Sequence, residues 1–424
     1  MNRRSFLKSS VAAWPAVSAL AAWAAPPSGR NPNILIRSAW QTVNIGDIAH
    51  TPGLLRLLEK YIPEADVTLW PSKVDQGVDE LLLRRFPKLN ILRGPDDIAA
   101  ALKKCDFFLH GSAASFGAER DVRRWVSETG KPFGVYGIGV PNYPAAVENI
   151  VISPSTKAKT MEVLNQAQFA FFRDSVSMNR AKELGCHNSI MEYCPDAAFA
   201  CDLHDDAKAD AYLKKVGLET GKFLCCIPRL RISPYWKMKP DVPFHPARHA
   251  RNEEMKEHDH RPLREAITRI VRETEMTVLV CPEDSSHVEL GKEMLVDKLP
   301  EDVRRRVVWR DSYWLTDEAV SVYKRMPVCS ATRCTRRLCA SATAFRQSFV
   351  VGPSKRPKAP CGATSVCRNG SLISTWKKKW RACRKRPCKW QRIRQGRRRK
   401  PWRLARLWKS DNEKRWRSCA RPSD

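Results

Sequence analysis

Between residues 30 and 325, short apolar runs alternate with longer stretches whose apolar positions recur every three or four residues. The short runs read as strands and the longer ones as amphipathic helices, the pattern of a parallel α/β layer structure. Strands are predicted at 33–36, 67–70, 90–92, 106–110, 132–137 and 169–172. Between them fall helices at 78–85, 96–104, 118–129, around 157–167 and at 175–184, the last closed by Gly185. A further helix is predicted from Thr51-Pro52 to Tyr61, with Thr as cap and Pro in the first turn. A second set begins near residue 222, with strands at 223–227, 277–281 and 307–309 and helices at 261–274, 288–298 and 316–325. Residues 233–260 are rich in Pro, Lys, Arg and His and read as a surface insertion or mobile loop. The fold class is therefore α/β, with two Rossmann-like domains at 30–205 and 222–325 facing a cleft. The second is incomplete, since about three strands are fewer than such a unit usually carries. Ligands of such sheets bind at the carboxyl ends of the strands, so the cleft is the default site.

Charge changes this picture at one point. The chain carries 75 basic and 45 acidic residues, a formal net charge of +30. From Met326 onward there are 29 basic and 3 acidic residues, and none of the acidic ones falls before Asp411. Residues 1–325 are thus close to neutral. The segment 326–424 also holds 8 of the 15 cysteines, many Arg, Pro and Ser, and six Trp between 376 and 416, without periodicity. A nucleic-acid-binding tail is one reading: Lys377-Lys378-Lys379 and 397–400 would meet phosphates while Trp stacked on bases. Selected basic tails favour Lys, Gly, Ser and Pro over Cys and Trp, however. The change also falls inside a predicted helix with no linker. The expectation is that residues 326–424 are translated out of frame and disordered, and that no specific nucleic acid is bound.

The first residues suggest an address. Asn2-Arg3-Arg4-Ser5-Phe6-Leu7-Lys8 has the form of a twin-arginine export motif, followed by an apolar stretch from 11 to 22 that is short for a bilayer span. Ala22-Trp23-Ala24 supplies small residues for cleavage, so 1–24 reads as a signal peptide. The expected location is the periplasm or cell envelope, with no transmembrane segment after signal removal. The body's cysteines number seven, and none lies at the spacing of a disulfide framework or zinc site, so no metal is expected.

Candidate chemistry lies in the loops after the strands. Asn44-Ile45-Gly46-Asp47 follows the first strand and could hold an anion on backbone N–H groups, or be a plain turn. His110-Gly111-Ser112 ends the fourth strand; His110 is the candidate general acid/base, and Gly111 would let a ligand approach. Arg173 is delivered by the apolar strand before it, where a guanidinium can hold a carboxylate or phosphate bidentately. Asp174 either joins that site or caps the next helix. Arg229 and Arg231, and Glu283, Asp284 and His287, follow strands of the second set and face the same cleft, unless they belong to solvated loops.

In order along the chain, these motifs resemble the polysaccharide pyruvyl transferase family. The matches are Asn44-Ile45-Gly46-Asp47, the small-residue strand end at 110–117, Gly130-Lys131-Pro132 before a strand ending in Gly137-Ile138-Gly139, Phe172-Arg173-Asp174-Ser175 with Ser177, Gly185, and Pro195-Asp196. The resemblance covers about 30–325. It implies a GT-B-like pair of Rossmann-like domains and transfer of the pyruvyl group of phosphoenolpyruvate to a polysaccharide sugar as a ketal. It implies no cofactor, with an anionic phosphoenolpyruvate-like donor and a saccharide acceptor as partners. The chain departs from the family beyond Arg325, where a segment resembling Asn-Glu-Met-His-Ser-Pro is expected. Codons begun one base earlier within 326–349 admit synonymous choices that spell such a segment. The chain as written is therefore expected to be impaired. A GT-B glycosyltransferase using a nucleotide sugar stands beside this reading. Both donors are cytoplasmic, which conflicts with export and leaves room for an exported sugar-binding or other transferase role.

Overall fold

The computed structural model describes residues 30–38, 41–73, 75–140 and 154–327. The expected signal at 1–24 and the basic segment beyond residue 327 lie outside them. In chain order the strands are β1 (Asn33–Arg37), β2 (Asp66–Leu69), β3 (Asn90–Ile91), β4 (Phe107–His110), β5 (Phe133–Ile138), β6 (Ala170–Phe172), β7 (Met191–Tyr193), β8 (Phe223–Cys226), β9 (Thr277–Val280) and β10 (Val307–Trp309). The first seven form one parallel sheet in the order β3-β2-β1-β4-β5-β6-β7, and the last three form a second parallel sheet in the order β10-β9-β8. The strand order reverses between β1 and β4, which opens a crevice beyond their carboxyl ends.

The helices are α1 (Ile45–Tyr61), α2 (Val78–Arg85), α3 (Pro95–Lys104), α4 (Glu119–Thr129), α5 (Pro154–Gln166), α6 (Ser175–Glu183), α7 (Asp206–Lys215), α8 (Tyr235–Met238), α9 (Pro246–Glu273), α10 (His287–Gly291), α11 (Glu301–Arg304) and α12 (Thr316–Lys324). A 3-10 turn spans Ala197–Ala200. The strands of the first sheet are apolar on both sides because helices cover both faces. Leu35, Phe108, Val135 and Phe172 pack with Val122, Trp125 and Leu164 in its main core. The second sheet has its own core, where Cys226, Val278 and Val280 meet Leu263, Ile267 and Val271 of α9.

The α/β class and the strand positions follow the sequence pattern closely; two helices do not. α1 begins at Ile45, six residues before the expected Thr51. The Asn44 side chain caps it, accepting from the backbone N–H of Gly46 (2.9 Å) and Asp47 (3.0 Å). Pro52 therefore lies inside the helix, where it cannot donate to the carbonyl four residues earlier. Residues 233–260, expected as a loop, are largely helical, since α9 runs 28 residues from Pro246. Its first half lacks an apolar stripe because polar side chains hold it in place. Asn252 is buried and pairs with both backbone groups of Ile232, at 3.0 and 2.8 Å. Asp259 accepts from Arg231 at 2.6 and 2.8 Å. The sequence pattern missed β7 and α7 altogether. No helix among the described residues is long and apolar enough to cross a membrane.

Candidate functional site

The segment joining β1 to α1 is tied to the loop after β9. Ile45 N–H donates to the Glu283 carbonyl (3.0 Å), and Ser285 N–H donates to the Val43 carbonyl (3.2 Å). Asn44 and Asp284 form an antiparallel bridge. α12 joins the two from the other side: Thr316 Oγ1 donates to the Ile45 carbonyl (2.9 Å). These links place the carboxyl ends of both sheets around one charged cluster.

The wall built on the first sheet holds Asp47, His50, Arg173 and Asp196. Asp47 and His50 lie three residues apart on α1 and so share a face. His50 is 2% exposed, and its Nδ1 lies 2.7 Å from Asp196 Oδ1. That oxygen also accepts from Ala198 N–H (3.0 Å), and Arg173 reaches Asp196 Oδ2 at 3.4 Å. Two close approaches bring these groups together. Gly53 lies against the 3-10 turn so tightly that a Cβ there would sit 1.9 Å from the Ala197 carbonyl oxygen. Ser112 Oγ accepts from Ala197 N–H at 2.8 Å, pinning the same turn.

The wall built on the second sheet holds Arg229, Glu283, Asp284 and His287. Arg229 Nη1 reaches Glu283 Oε2 at 3.4 Å. The Glu283 carboxylate, with Asp284 and Asp47 further away, raises the Arg229 pKa above its ordinary value. Asp284 is buried, and burial pushes its carboxyl up to about 6 despite two hydrogen bonds from Ser286; the charge of Asp47 adds to the rise. His287 accepts at Nδ1 from the backbone N–H of Glu283 (3.3 Å) and Asp284 (3.4 Å), and its Nε2 lies 3.2 Å from Asp284 Oδ2. Burial lowers the His287 pKa to about 3. Tyr235 and Tyr313 complete this wall. Burial raises both phenols, and the charges of Asp47 and Asp284 raise them further. The Tyr313 hydroxyl is buried without a hydrogen-bond partner.

The expected site residues divide into two groups. Asp47, Arg173, Arg229, Glu283, Asp284 and His287 meet in this cluster, and Asn44 and Gly46 form the capped first turn of α1 beside it. The other residues serve the scaffold. His110 is fully buried; its Nδ1 donates to the Gly111 carbonyl (2.8 Å) and its Nε2 accepts from Ala118 N–H (3.3 Å). Burial lowers its pKa to about 4 and keeps it neutral, so neither nitrogen is available as the expected acid/base. The space beside Gly111 is filled by the protein itself, as a Cβ would meet Ser38 Oγ at 2.0 Å and Leu54 at 2.9 Å. Asp174 caps α6, accepting from the N–H (2.6 Å) and hydroxyl (3.0 Å) of Ser177. Arg231 is committed to Asp259. The sequence reading missed His50, Tyr235 and Tyr313. For His50 the signal was present: an Asn cap at 44 starts a helix that places Asp47 and His50 on one face.

Among the described residues, no group of three or more His, Cys, Asp or Glu is placed to hold a metal ion. What the cluster offers is cations from both walls, carboxylates, and a histidine with one nitrogen engaged, a set suited to an anionic ligand and proton transfer.

The molecule is thus an α/β protein with two parallel sheets whose carboxyl ends share a charged cleft. The polysaccharide pyruvyl transferase family matches residues 44–333, and the chain belongs to that family. A search of curated proteins finds no match. Solved structures similar to the chain include S. aureus MnaA in a co-structure with UDP, at 12% identity over 69% of this chain and 72% of that one, with a TM-score of 0.43. Anabaena HepE in complex with UDP-glucose is 11% identical over 72% and 78%, with a TM-score of 0.41. E. coli ADP-heptose LPS heptosyltransferase II is 12% identical over 70% and 77%, with a TM-score of 0.37.

Proposed function

We propose that the chain is an exported pyruvyl transferase, slowed by the loss of the family's segment after Arg325, that moves the pyruvyl group of a phosphoenolpyruvate-like donor onto two hydroxyls of one sugar, forming a ketal. Family membership supports the reaction class. The observation that carries the reading is the pair of guanidiniums, Arg173 and Arg229, on the two walls of one cleft. A donor with a carboxylate and a phosphate presents an anion to each. In the reaction, oxygen from each acceptor hydroxyl bonds to the donor's C2 while the C2–O bond to phosphate breaks. The electron pair leaves with phosphate. In net balance, one of the two hydroxyl protons replaces the one that C3 takes up as methylene becomes methyl, and the other leaves with the phosphate.

Titration calorimetry of the full chain with phosphoenolpyruvate and, separately, UDP-glucose tests this. Phosphoenolpyruvate is expected to bind, and Arg229→Ala to weaken it at least tenfold, about 1.4 kcal/mol. Binding of UDP-glucose with none of phosphoenolpyruvate would replace this reading with a nucleotide-sugar transferase. Export through the twin-arginine route is part of the proposal and rests on the first 24 residues. Replacing Arg3-Arg4 by Lys-Lys should retain a reporter fusion in the cytoplasm, and an unchanged periplasmic signal would remove that part.

A further inference from the structure

Three histidines sit buried at carboxyl ends of strands or just beyond them, and their hydrogen bonds distinguish them. His110 and His287 have both nitrogens within reach of protein groups. His50 does not: Nδ1 faces Asp196 at 2.7 Å, while Nε2 is buried without a hydrogen-bond partner. An ionised carboxylate only accepts, so Nδ1 carries the hydrogen and Nε2 carries the lone pair. Asp196 is held in that role by Arg173 on its other oxygen and by Ala198 N–H. Asp47 Oδ1 lies 3.8 Å from Nε2. Asp47 itself is 21% exposed, and its charge bears on Arg229, Tyr235, Asp284 and Tyr313 of the opposite wall. A buried acceptor nitrogen and a partly exposed acceptor oxygen thus lie side by side in the charged cluster.

We infer that His50 and Asp47 are the catalytic bases that receive the sugar, His50 Nε2 taking the proton of one acceptor hydroxyl and Asp47 that of its neighbour. The inference rests on the ketal reading above. A ketal consumes two hydroxyls of the same sugar, whose oxygens lie about 3 Å apart, a separation that two acceptors 3.8 Å apart can serve together. As the first oxygen bonds to C2, the C2=C3 π pair takes up a proton from water to form the C3 methyl, and the hydroxyl's own proton passes to Nε2, whose imidazolium is stabilised between Asp196 and Asp47. As the second oxygen bonds and the C2–O bond to phosphate breaks, its proton passes to Asp47. Both bases return to their starting state by giving up these protons, one to water in place of the proton taken by C3 and the other to the departing phosphate.

The test is phosphate release from phosphoenolpyruvate by the full chain, with a panel of methyl hexopyranosides as acceptors and water as background, alongside phosphoenolpyruvate affinity. His50→Asn keeps a donor for Asp196 and removes Nε2. It is expected to lower kcat by about 100-fold or more with donor affinity within about threefold. Asp47→Asn, which is isosteric, is expected to lower kcat likewise. A His50→Asn protein that releases phosphate at the wild-type rate overturns the inference. So does a wild-type protein that binds phosphoenolpyruvate and never releases phosphate. A wild-type protein that does not bind phosphoenolpyruvate overturns the ketal reading itself.

Discussion

The two walls of the cleft are built from the same residue types and behave differently. On the first, a histidine on α1 leans on Asp196 and keeps its second nitrogen buried without a hydrogen-bond partner. On the second, His287 accepts two backbone N–H groups and meets Asp284 with its other nitrogen, while Asp284 also holds Ser286. The first pair leaves one acceptor of the ring unpaired. The second is a closed knot that fixes the turn after β9, and this turn positions Glu283 against Arg229 and the cleft segment before α1. Burial and an adjacent carboxylate are common to both, so neither identifies working chemistry. The count of satisfied donors and acceptors is what separates the two pairs.

The comparison can be broken in several ways. The largest expected effect is that of Gly53→Ala. Its Cβ would lie 1.9 Å from the Ala197 carbonyl oxygen, a backbone atom that cannot move aside cheaply. We expect a loss of about 3 kcal/mol in chemical denaturation and loss of the His50–Asp196 contact. A midpoint within error of wild type would show that α1 and the 3-10 turn do not need this approach.

Acid should next expose the closed knot. The folded-state pKa of His287 is lowered to about 3 and that of His110 to about 4, so the unfolded chain binds their protons first as pH falls below about 6.5. Stability from these two is present above that pH and is lost as pH falls toward 4 and 3. Asp284, raised to about 6, acts in the opposite sense, because the folded state holds its proton between about 3.8 and 6. The histidines outnumber it, so stability should fall from pH 7 to pH 4.5 with a slope of up to about 1.4 kcal/mol per pH unit. His287→Gln should flatten the slope of urea midpoints against pH, and a slope unchanged by that substitution would place the proton uptake elsewhere.

His110→Phe leaves the Ala118 N–H, now at 3.3 Å from Nε2, without its acceptor in a buried setting. A loss of about 2 kcal/mol is expected by denaturation. No loss would mean that the bond to Ala118 does not hold this loop. Asn44→Ala removes the cap of α1 and should cost about 1 kcal/mol, with faster amide exchange at Gly46 and Asp47 as the local signature. Unchanged exchange there would mean that the tie to Glu283, rather than the cap, starts the helix.

Much of the fold was legible because parallel strands buried on both faces appear as continuous apolar runs. Leu35, Phe108 and Phe172 sit in the core where the pattern put them. The second half of α9 was legible and its first half was not, since that half is held by Asn252 and Asp259 bonding to the chain segment after β8, which no periodicity records. Residues of the charged cluster were legible where a strand ends in a charge, as at Arg173 and Arg229. A polar residue at a strand end serves the scaffold instead at His110 and Arg231, and Asp174 takes the capping role that its place before a helix also offered.

The sequence by itself determined the alternation of strands and helices, the parallel sheets that follow from it, and the family the chain belongs to. Those properties depend on local pattern and on motif order along the chain. Only the tertiary structure decided which ionisable groups meet in one cluster and which are committed to the scaffold. His50 and Asp196 are separated by 146 positions, and the cross-links from Ile45 to Glu283 and Thr316 span longer stretches still. Whether a buried nitrogen is satisfied depends on atoms brought within about 3 Å by packing. That distance is set by a glycine lying against a carbonyl, and no linear pattern encodes it.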